Sequence, residues 1–403
     1  MGSHKQIKKI VLAYSGGLDT SVIVKWLIDK YSCEVIAYCG DVGQGADLSP
    51  LEERAKKTGA SKLLIEDLRE DFAQEYLLPA LQLHALYEGQ YDLATALNRP
   101  LIAKRLVDFA LSEGADAIAH GCTGKGNDQV RFEATINALA PQLTILAPVR
   151  EWELTSRESE IAYAEKHNIP IEISHEKIYS IDKCLWGISI ECGPLEDPYL
   201  EPPRNTYITV KHLDETPDTP EYLELDFEKG VPQRINGKAY SLVDLIVELN
   251  KVGGNHGVGR IDMIENRLVG IKSREVYETP AGSILIKAHR DLESLVLDRE
   301  MLHYKENLTN KFSELVYYGL WFSTLRESIV AFNDVAQQYV TGTVRLKLFK
   351  GQATVVGRKS KNSLYLDELS TYAEHDKFDQ SSSKGFIDLW TLPLKVAGQV
   401  RKK

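Results

Sequence analysis

An apolar run that halts at two glycines constrains this chain more than any other feature. "KKIVLAY" (8–14) leads into Ser15-Gly16-Gly17-Leu18-Asp19-Thr20-Ser21, and then into "VIVKWLIDK", whose apolar residues recur at helical spacing. A strand that runs through such a loop into a helix opens a strand–helix–strand unit. Units of that kind build parallel sheets with both faces covered.

The next 160 or so residues keep the alternation. "CEVIAYC", "SKLLIED", "DAIAH" and "LTILAP" are further apolar runs of strand length. Between them, helices are expected from Ser49, with Glu52 as a capping box, Pro50 in the first turn and Gly59 at the stop; from Asn98 to about Gly114; from near Asp128; and from Thr155 with Glu158. The fold class is therefore α/β, a doubly wound parallel sheet.

The pattern changes at "DPYLEPPRNTYITVKHLDETPDTPEY", and strands with turns follow, one at Asn236-Gly237. Three long helices are expected at 279–297, 300–318 and 323–340, then a hairpin turning at Lys350-Gly351. Three regions result: 1–175, the doubly wound domain; 176–361, an α+β domain; and 362–403, a tail whose Phe386, Ile387, Trp390 and Leu394 need a surface to cover them.

With 403 residues, more than one core is expected. The net charge of −10 argues against nucleic acid held by bulk electrostatics. No stretch reaches the length of a membrane span, and "MGSHKQ" lacks the apolar region of a secretory signal. The five cysteines include no C-x-x-C pair, which disfavours a disulfide framework or a zinc site and suggests a reducing, cytoplasmic home.

Two loops carry the chemistry. In the first, Gly16 and Gly17 let backbone N–H groups approach an anion, Ser15, Thr20 and Ser21 add hydroxyls, and a helix end adds its dipole. Glycines alone would make only a turn; the flanking strand and helix make a phosphate cradle. It is neither a Walker loop nor G-x-G-x-x-G. Asp19 is either a helix cap or a Mg²⁺ holder. The second loop, "HGCTGKGNDQVRFE" (120–133), also leaves a strand and enters a helix. Asp128 suits an ammonium group, or caps the helix, and Arg131 suits a carboxylate. If the two strands are neighbours, the loops meet at a switch point. A third stretch, "GGNHGVGRIDMIENRLVGIKSREVYETPAG" (253–282), combines glycines with Glu265, Arg267, Arg274 and Tyr277; His256 reads as a structural hydrogen-bonder.

The pattern S-G-G-x-D-[ST]-[ST] resembles the pyrophosphate loop of the N-type ATP pyrophosphatases. Together with "YDLATALNRP", "ISIECGPLEDP" and the two longer motifs, the chain resembles the argininosuccinate synthase family over nearly its whole length. The resemblance implies a magnesium-dependent homotetramer in which 1–175 is the nucleotide-binding (ATP pyrophosphatase) domain, 176–361 a synthetase and multimerisation domain, and 362–403 a C-terminal helical arm for oligomerisation. It implies that citrulline and aspartate are joined with ATP, giving argininosuccinate, AMP and pyrophosphate. It implies that Ala13, Tyr14, Ser15, Gly16, Gly17, Leu18, Asp19, Thr20 and Ser21 wrap the ATP phosphates, with Gly40 and Gly121 near the adenosine. Thr123, Asn127 and Asp128 would hold aspartate. Tyr91, Thr95, Asn127, Arg131, Ser180, Ser189, Glu265 and Tyr277 would hold citrulline. Asp19, Asn127 and Asp128 are the catalytic candidates. Ala96 stands where some relatives offer a serine, and Lys183 and Cys184 stand where an acid and an amide are expected.

Rival readings are another ATP pyrophosphatase (tRNA-thiolating, amidotransferase-type or NAD-forming) and a nucleotide sensor. The acidic charge and scattered cysteines disfavour the first of these, the lack of a spare glutaminase domain the second. Asp128, Arg131 and Glu265 would be superfluous in a sensor.

Overall fold

The computed structural model describes residues 6–170 and 178–402. The expected boundary at 175/176 and the chain's first five residues lie outside the described residues.

The five apolar runs form one parallel sheet: β1 (Lys9–Ala13), β2 (Glu34–Asp41), β3 (Lys62–Asp67), β4 (Ala117–Ala119) and β5 (Thr144–Leu146), in the order β3-β2-β1-β4-β5. Side chains alternate across a strand, so β1 serves two cores. Ile10 and Leu12 pack with Val22, Ile23 and Leu27 of the helix Leu18–Tyr31. Val11 points the other way, towards Leu106, Val107 and Ile136 of the helices Ala94–Ser112 and Asp128–Leu139. This is the doubly wound arrangement that the sequence periodicity requires.

The rest of the chain builds two antiparallel sheets. One holds β6 (Ser180–Cys184), β7 (Gly187–Glu191), β11 (Arg260–Asn266) and β12 (Lys272–Glu278), in the order β11-β12-β7-β6. The other holds β8 (Glu221–Glu228), β9 (Val231–Ile235), β10 (Lys238–Ala239), β13 (Gly342–Phe349) and β14 (Gln352–Lys359), in the order β10-β9-β8-β13-β14. Both anticipated turns are left-handed pairs, Asn236-Gly237 and Lys350-Gly351, as tight hairpins demand. The long helices are Pro280–Val296, Arg299–Tyr317 and Thr324–Gln337. His256 is structural, 3.0 Å from Glu221.

One core joins the two halves of the chain. Phe72, Tyr76, Leu81, Tyr91 and Leu97 pack in the same buried cluster as Leu225, Leu245, Ile284, Phe312 and Leu346. The helix expected from Asn98 begins at Ala94, because Ala94 to Leu97 are buried in that core and packing outweighs the interior Pro100.

Three expected caps differ. The helix expected at Ser49 is Leu51–Thr58 with Pro50 as its N-cap, since Leu48 to Leu51 form a turn and the Ser49 N–H donates to Asp47. Gly59 closes it as expected. The helix expected at Thr155 is Arg157–Lys166, capped reciprocally by Ser156 and Ser159 rather than by Glu158. Asp128 is the first residue inside its helix rather than the cap, which frees its carboxylate for other partners.

The tail forms one short helical turn, Asp367–Ser370, and two longer helices, Ser382–Trp390 and Leu392–Arg401, none of whose residues is buried. Phe386 stacks on Trp390, which is 72% exposed.

Candidate active site

Parallel sheets expose the N-termini of their following helices at the carboxyl ends of the strands. Here β1 lies between β2 and β4, so the loops after β1 and β4 flank one crevice. A cavity of about 810 Å³ opens there. It is lined by Ala13, Tyr14, Ser15, Thr20, Gly40, Gly121 and Asp128, among others.

The β1 loop fits an anion. Gly16 has φ +75°, and a Cβ there would collide with Leu51, so this glycine is required by the backbone itself. Gly17 is extended and caps the helix without any side-chain bond, which leaves the first helical N–H groups open to an anion. Neither Asp19 nor Thr20 caps this helix. Ser15 and Thr20 hydroxyls lie 3.1 Å apart, and Arg54 donates to the Gly16 carbonyl at 2.7 Å. Ser21 turns inward to Tyr14, 3.2 Å away, and is fully buried, so its hydroxyl braces the loop.

A Cβ on Gly17 would meet only Ser15 Oγ, at 3.5 Å. The fold therefore tolerates a side chain that a phosphate would not. Gly17→Val is expected to leave the melting temperature nearly unchanged and to weaken ATP binding severely, measured by thermal unfolding beside calorimetric titration. Normal ATP affinity would reduce the loop to a turn.

A second network joins the β4 loop to the antiparallel half. Asp128 accepts from Arg99 Nε and from Arg131 Nη1, both at 2.8 Å, and Arg99 also pairs with Asp182. Burial pushes the Asp128 carboxyl up, but the two guanidinium groups outweigh it and hold it below its usual range. Arg131 is buried; its Nε donates to the Tyr317 carbonyl at 3.1 Å, leaving Nη2 without a partner among the described residues. Asn127 donates to the Tyr317 hydroxyl at 2.8 Å and accepts from the Leu268 N–H at 2.9 Å.

Beyond Tyr317 lies a buried carboxylate. Glu265 accepts from the Tyr317 hydroxyl at 2.5 Å and the Tyr277 hydroxyl at 2.6 Å. Burial, with Glu265 nearby, raises both phenols, so they stay protonated as donors. Tyr277 stacks on Tyr91, with ring centroids 4.0 Å apart. The Tyr91 hydroxyl lies 2.9 Å from Thr95 Oγ1, and Thr95 lies 3.3 Å from Ser189 Oγ. Beside them, burial together with Glu191 and Glu265 pushes Glu275 up to about 9, with Arg267 opposing.

The structure thus gathers Tyr91, Thr95, Asn127, Asp128, Arg131, Ser189, Glu265 and Tyr277. Thr123 and Ser180 stand apart, exposed and without a side-chain hydrogen bond to this network. Ala96 is buried, and Cys184 donates to the Ala94 carbonyl, so neither departure opens a polar gap. Lys183 lines the cavity. Sequence reasoning missed Arg99, Asp182 and Tyr317. Arg99 had a signal, standing inside "YDLATALNRP"; Tyr317, at the end of a long helix, had none.

Residues 9–170 match the family described as "Arginosuccinate synthase N-terminal HUP domain", and residues 179–397 match "Arginosuccinate synthase C-terminal domain". The chain belongs to the argininosuccinate synthase family. The argininosuccinate synthase of Aquifex aeolicus is 56% identical over 98% of this chain and 99% of its own. Those of Bacillus licheniformis and Bacillus pumilus are 56% and 57% identical, each over 99% of this chain and 98% of its own. Such coverage extends the family relationship through both sheets of the antiparallel half and into the tail. No helix among the described residues is long and apolar enough to cross a membrane.

Proposed function

We infer that the protein is a C–N bond-forming ligase that condenses citrulline with aspartate at the expense of ATP, yielding argininosuccinate, AMP and pyrophosphate. The observation that carries this reading is the juxtaposition of an open glycine loop with the hydrogen-bonded run Asp128–Arg131–Tyr317–Glu265. One part suits phosphates; the other suits molecules bearing ammonium and carboxylate groups.

The ureido carbon of citrulline is a poor electrophile, and its oxygen is a poor leaving group. Attack of that oxygen on the α-phosphorus breaks the α–β bond, releases pyrophosphate and leaves an AMP ester. The aspartate amine then displaces AMP. The protein supplies placement and fixed dipoles. Residues 13 to 21 hold the triphosphate, with Gly40 and Gly121 beside the nucleoside. Arg131 offers Nη2 to a substrate carboxylate. Asn127 and Asp128, with Thr123, face aspartate; Tyr91, Thr95, Ser180, Ser189, Glu265 and Tyr277 frame citrulline.

Mg²⁺ fits the oxygen donors at the mouth of the loop. Burial, with the Asp19 carboxylate beside it, pushes the Glu160 carboxyl up to about 8, so two acidic groups crowd one another there. Asp19 and Glu160 would hold the ion, which supplies charge neutralisation to the phosphate oxygens.

Pyrophosphate release measured with and without each amino acid tests the reading. Sustained release is expected only with both citrulline and aspartate, with citrulline alone giving at most one equivalent per site; sustained release with neither would return the chain to a nucleotide hydrolase.

We also propose a cytoplasmic homotetramer whose arm, 362–403, covers neighbouring subunits. The exposed Phe386, Ile387, Trp390 and Leu394 support it. Truncation at Ser383 is expected to lower the assembly mass in light scattering. An unchanged mass would assign the tail to its own subunit.

A further inference from the structure

Three distant parts of the chain meet at one hydroxyl. Asn127 immediately precedes the helix Asp128–Leu139, Glu265 lies on β11, and Tyr317 ends the helix Arg299–Tyr317. All three side chains are buried. Among the described residues, only the Tyr317 hydroxyl bonds both Asn127 and Glu265.

The direction of each bond is fixed. The Leu268 N–H needs an acceptor, which turns the Asn127 amide oxygen towards it, at 2.9 Å, and the amide nitrogen towards Tyr317. Asn127 Nδ2 donates to the Tyr317 oxygen at 2.8 Å, and the single phenolic proton goes on to Glu265 Oε1 at 2.5 Å. The second Nδ2 proton of Asn127 has no partner among the described residues and is left for a substrate.

The phenol is held from several sides. Its ring stacks on Tyr87 with centroids 3.6 Å apart, and the Arg131 guanidinium lies over it at 4.9 Å. Arg131 Nε also holds the Tyr317 carbonyl. Two residues on, Gly319 has φ +74°, and a Cβ there would come within 2.7 Å of the Arg131 Cα. The end of the long helix is therefore pressed against the backbone of the helix Asp128–Leu139, and close packing leaves the hydroxyl little room to shift.

On the ligase reading above, Asn127 faces aspartate and Glu265 faces citrulline. We propose that Tyr317 is a positioning residue for the second step: acting through Asn127 and Glu265, its hydroxyl sets the spacing between the two amino-acid pockets and so places the aspartate amine against the activated ureido carbon. A misplacement of about 1 Å can cost about a hundredfold in rate. The first step, at the α-phosphorus, does not need the aspartate pocket, so the two steps should respond differently.

Tyr317→Phe keeps the ring and its contacts with Tyr87 and Arg131 and removes only the hydroxyl. Thr309→Val is the control for stability alone: it removes another buried hydroxyl bond of the same helix, from Thr309 Oγ1 to the Leu83 carbonyl at 2.7 Å. Rapid-quench single turnovers of the full-length protein, with ATP, citrulline and aspartate saturating, measure pyrophosphate and argininosuccinate separately. In Tyr317→Phe, argininosuccinate is expected to form about tenfold more slowly, while pyrophosphate release and ATP affinity change by less than about twofold. Thr309→Val should match the unaltered protein in both products. Equal slowing of both products, unchanged kinetics in Tyr317→Phe, loss of ATP affinity in that variant, or the same defect in Thr309→Val would overturn the proposal. Unaltered protein that releases pyrophosphate yet forms no argininosuccinate would instead sink the ligase reading on which the proposal rests.

Discussion

Asp128→Asn is expected to cut kcat/KM for citrulline and for aspartate by about a hundredfold, while ATP affinity changes little. Asp128 is the shared anion of Arg99 and Arg131. An asparagine keeps the shape and removes the charge, so both guanidinium groups lose their counter-ion at once. Breaking a buried ion pair costs about 3–5 kcal/mol. The Asp128 side chain is 32% exposed, so solvent screening favours the lower end, about 3 kcal/mol, which is about a hundredfold in rate. Arg131 would then swing from the Tyr317 carbonyl, and the citrulline and aspartate positions would loosen together. Steady-state kinetics with each amino acid varied in turn measures this. Equal losses for ATP and both amino acids would mean that the helix after Asn127 had come apart instead.

Lys305→Met is expected to destabilise the fold by about 3–5 kcal/mol. Lys305 is 2% exposed; its ammonium pairs with Glu293 and donates to the Gln82 carbonyl at 2.5 Å. Gln337 also donates to Glu293, at 2.8 Å, so its carbonyl is free to accept from His289 Nε2 at 2.9 Å. That leaves His289 Nδ1 as acceptor for His84 Nε2, 2.8 Å away, and fixes both imidazoles as neutral tautomers. Although His84, His289 and Glu293 are close enough together to hold a metal ion, His84 Nε2, both ring nitrogens of His289 and Oε1 of Glu293 are already in hydrogen bonds, and Lys305 supplies the positive charge. Removing Lys305 strands the Glu293 charge, at a cost of about 3–5 kcal/mol. Thermal unfolding measures it, and the further change Glu293→Gln should recover part of the loss. No recovery would assign the damage to packing.

The same histidines set an acid limit. Burial, with Lys305 nearby, lowers both, His289 to about 4. The unfolded chain takes up protons below its histidine pKa, about 6.5, where the folded one does not. Their contribution is therefore flat above that pH. It is lost as pH falls from there towards 4, by about 1.4 kcal/mol per unit for each histidine.

The first half of the fold was legible because strand and helix periods differ and each run in "KKIVLAY" to "LTILAP" is bounded by glycine or by charge. Residues such as Gly59, Asn236-Gly237 and Lys350-Gly351 announce turns through local backbone chemistry. Helix starts were less legible. Packing of Ala94 to Leu97 overrode Pro100, and a one-residue shift at Ser156 changed the reciprocal partner from Glu158 to Ser159. In the site, Gly16 and Gly17 read alike in sequence; only φ and the nearness of Leu51 show that Gly16 serves the fold while Gly17 can serve a ligand. Tyr317 was invisible because its hydroxyl joins Asn127 to Glu265, residues 138 positions apart, and no local pattern encodes such a bridge.

The central claim is that citrulline is activated through its own oxygen at the α-phosphorus. Citrulline carrying ¹⁸O in the ureido group tests it directly, by mass spectrometry of the products of a single turnover. The label is expected in AMP, with none in pyrophosphate, in step with argininosuccinate. Unlabelled AMP formed at the same rate as argininosuccinate would contradict the account.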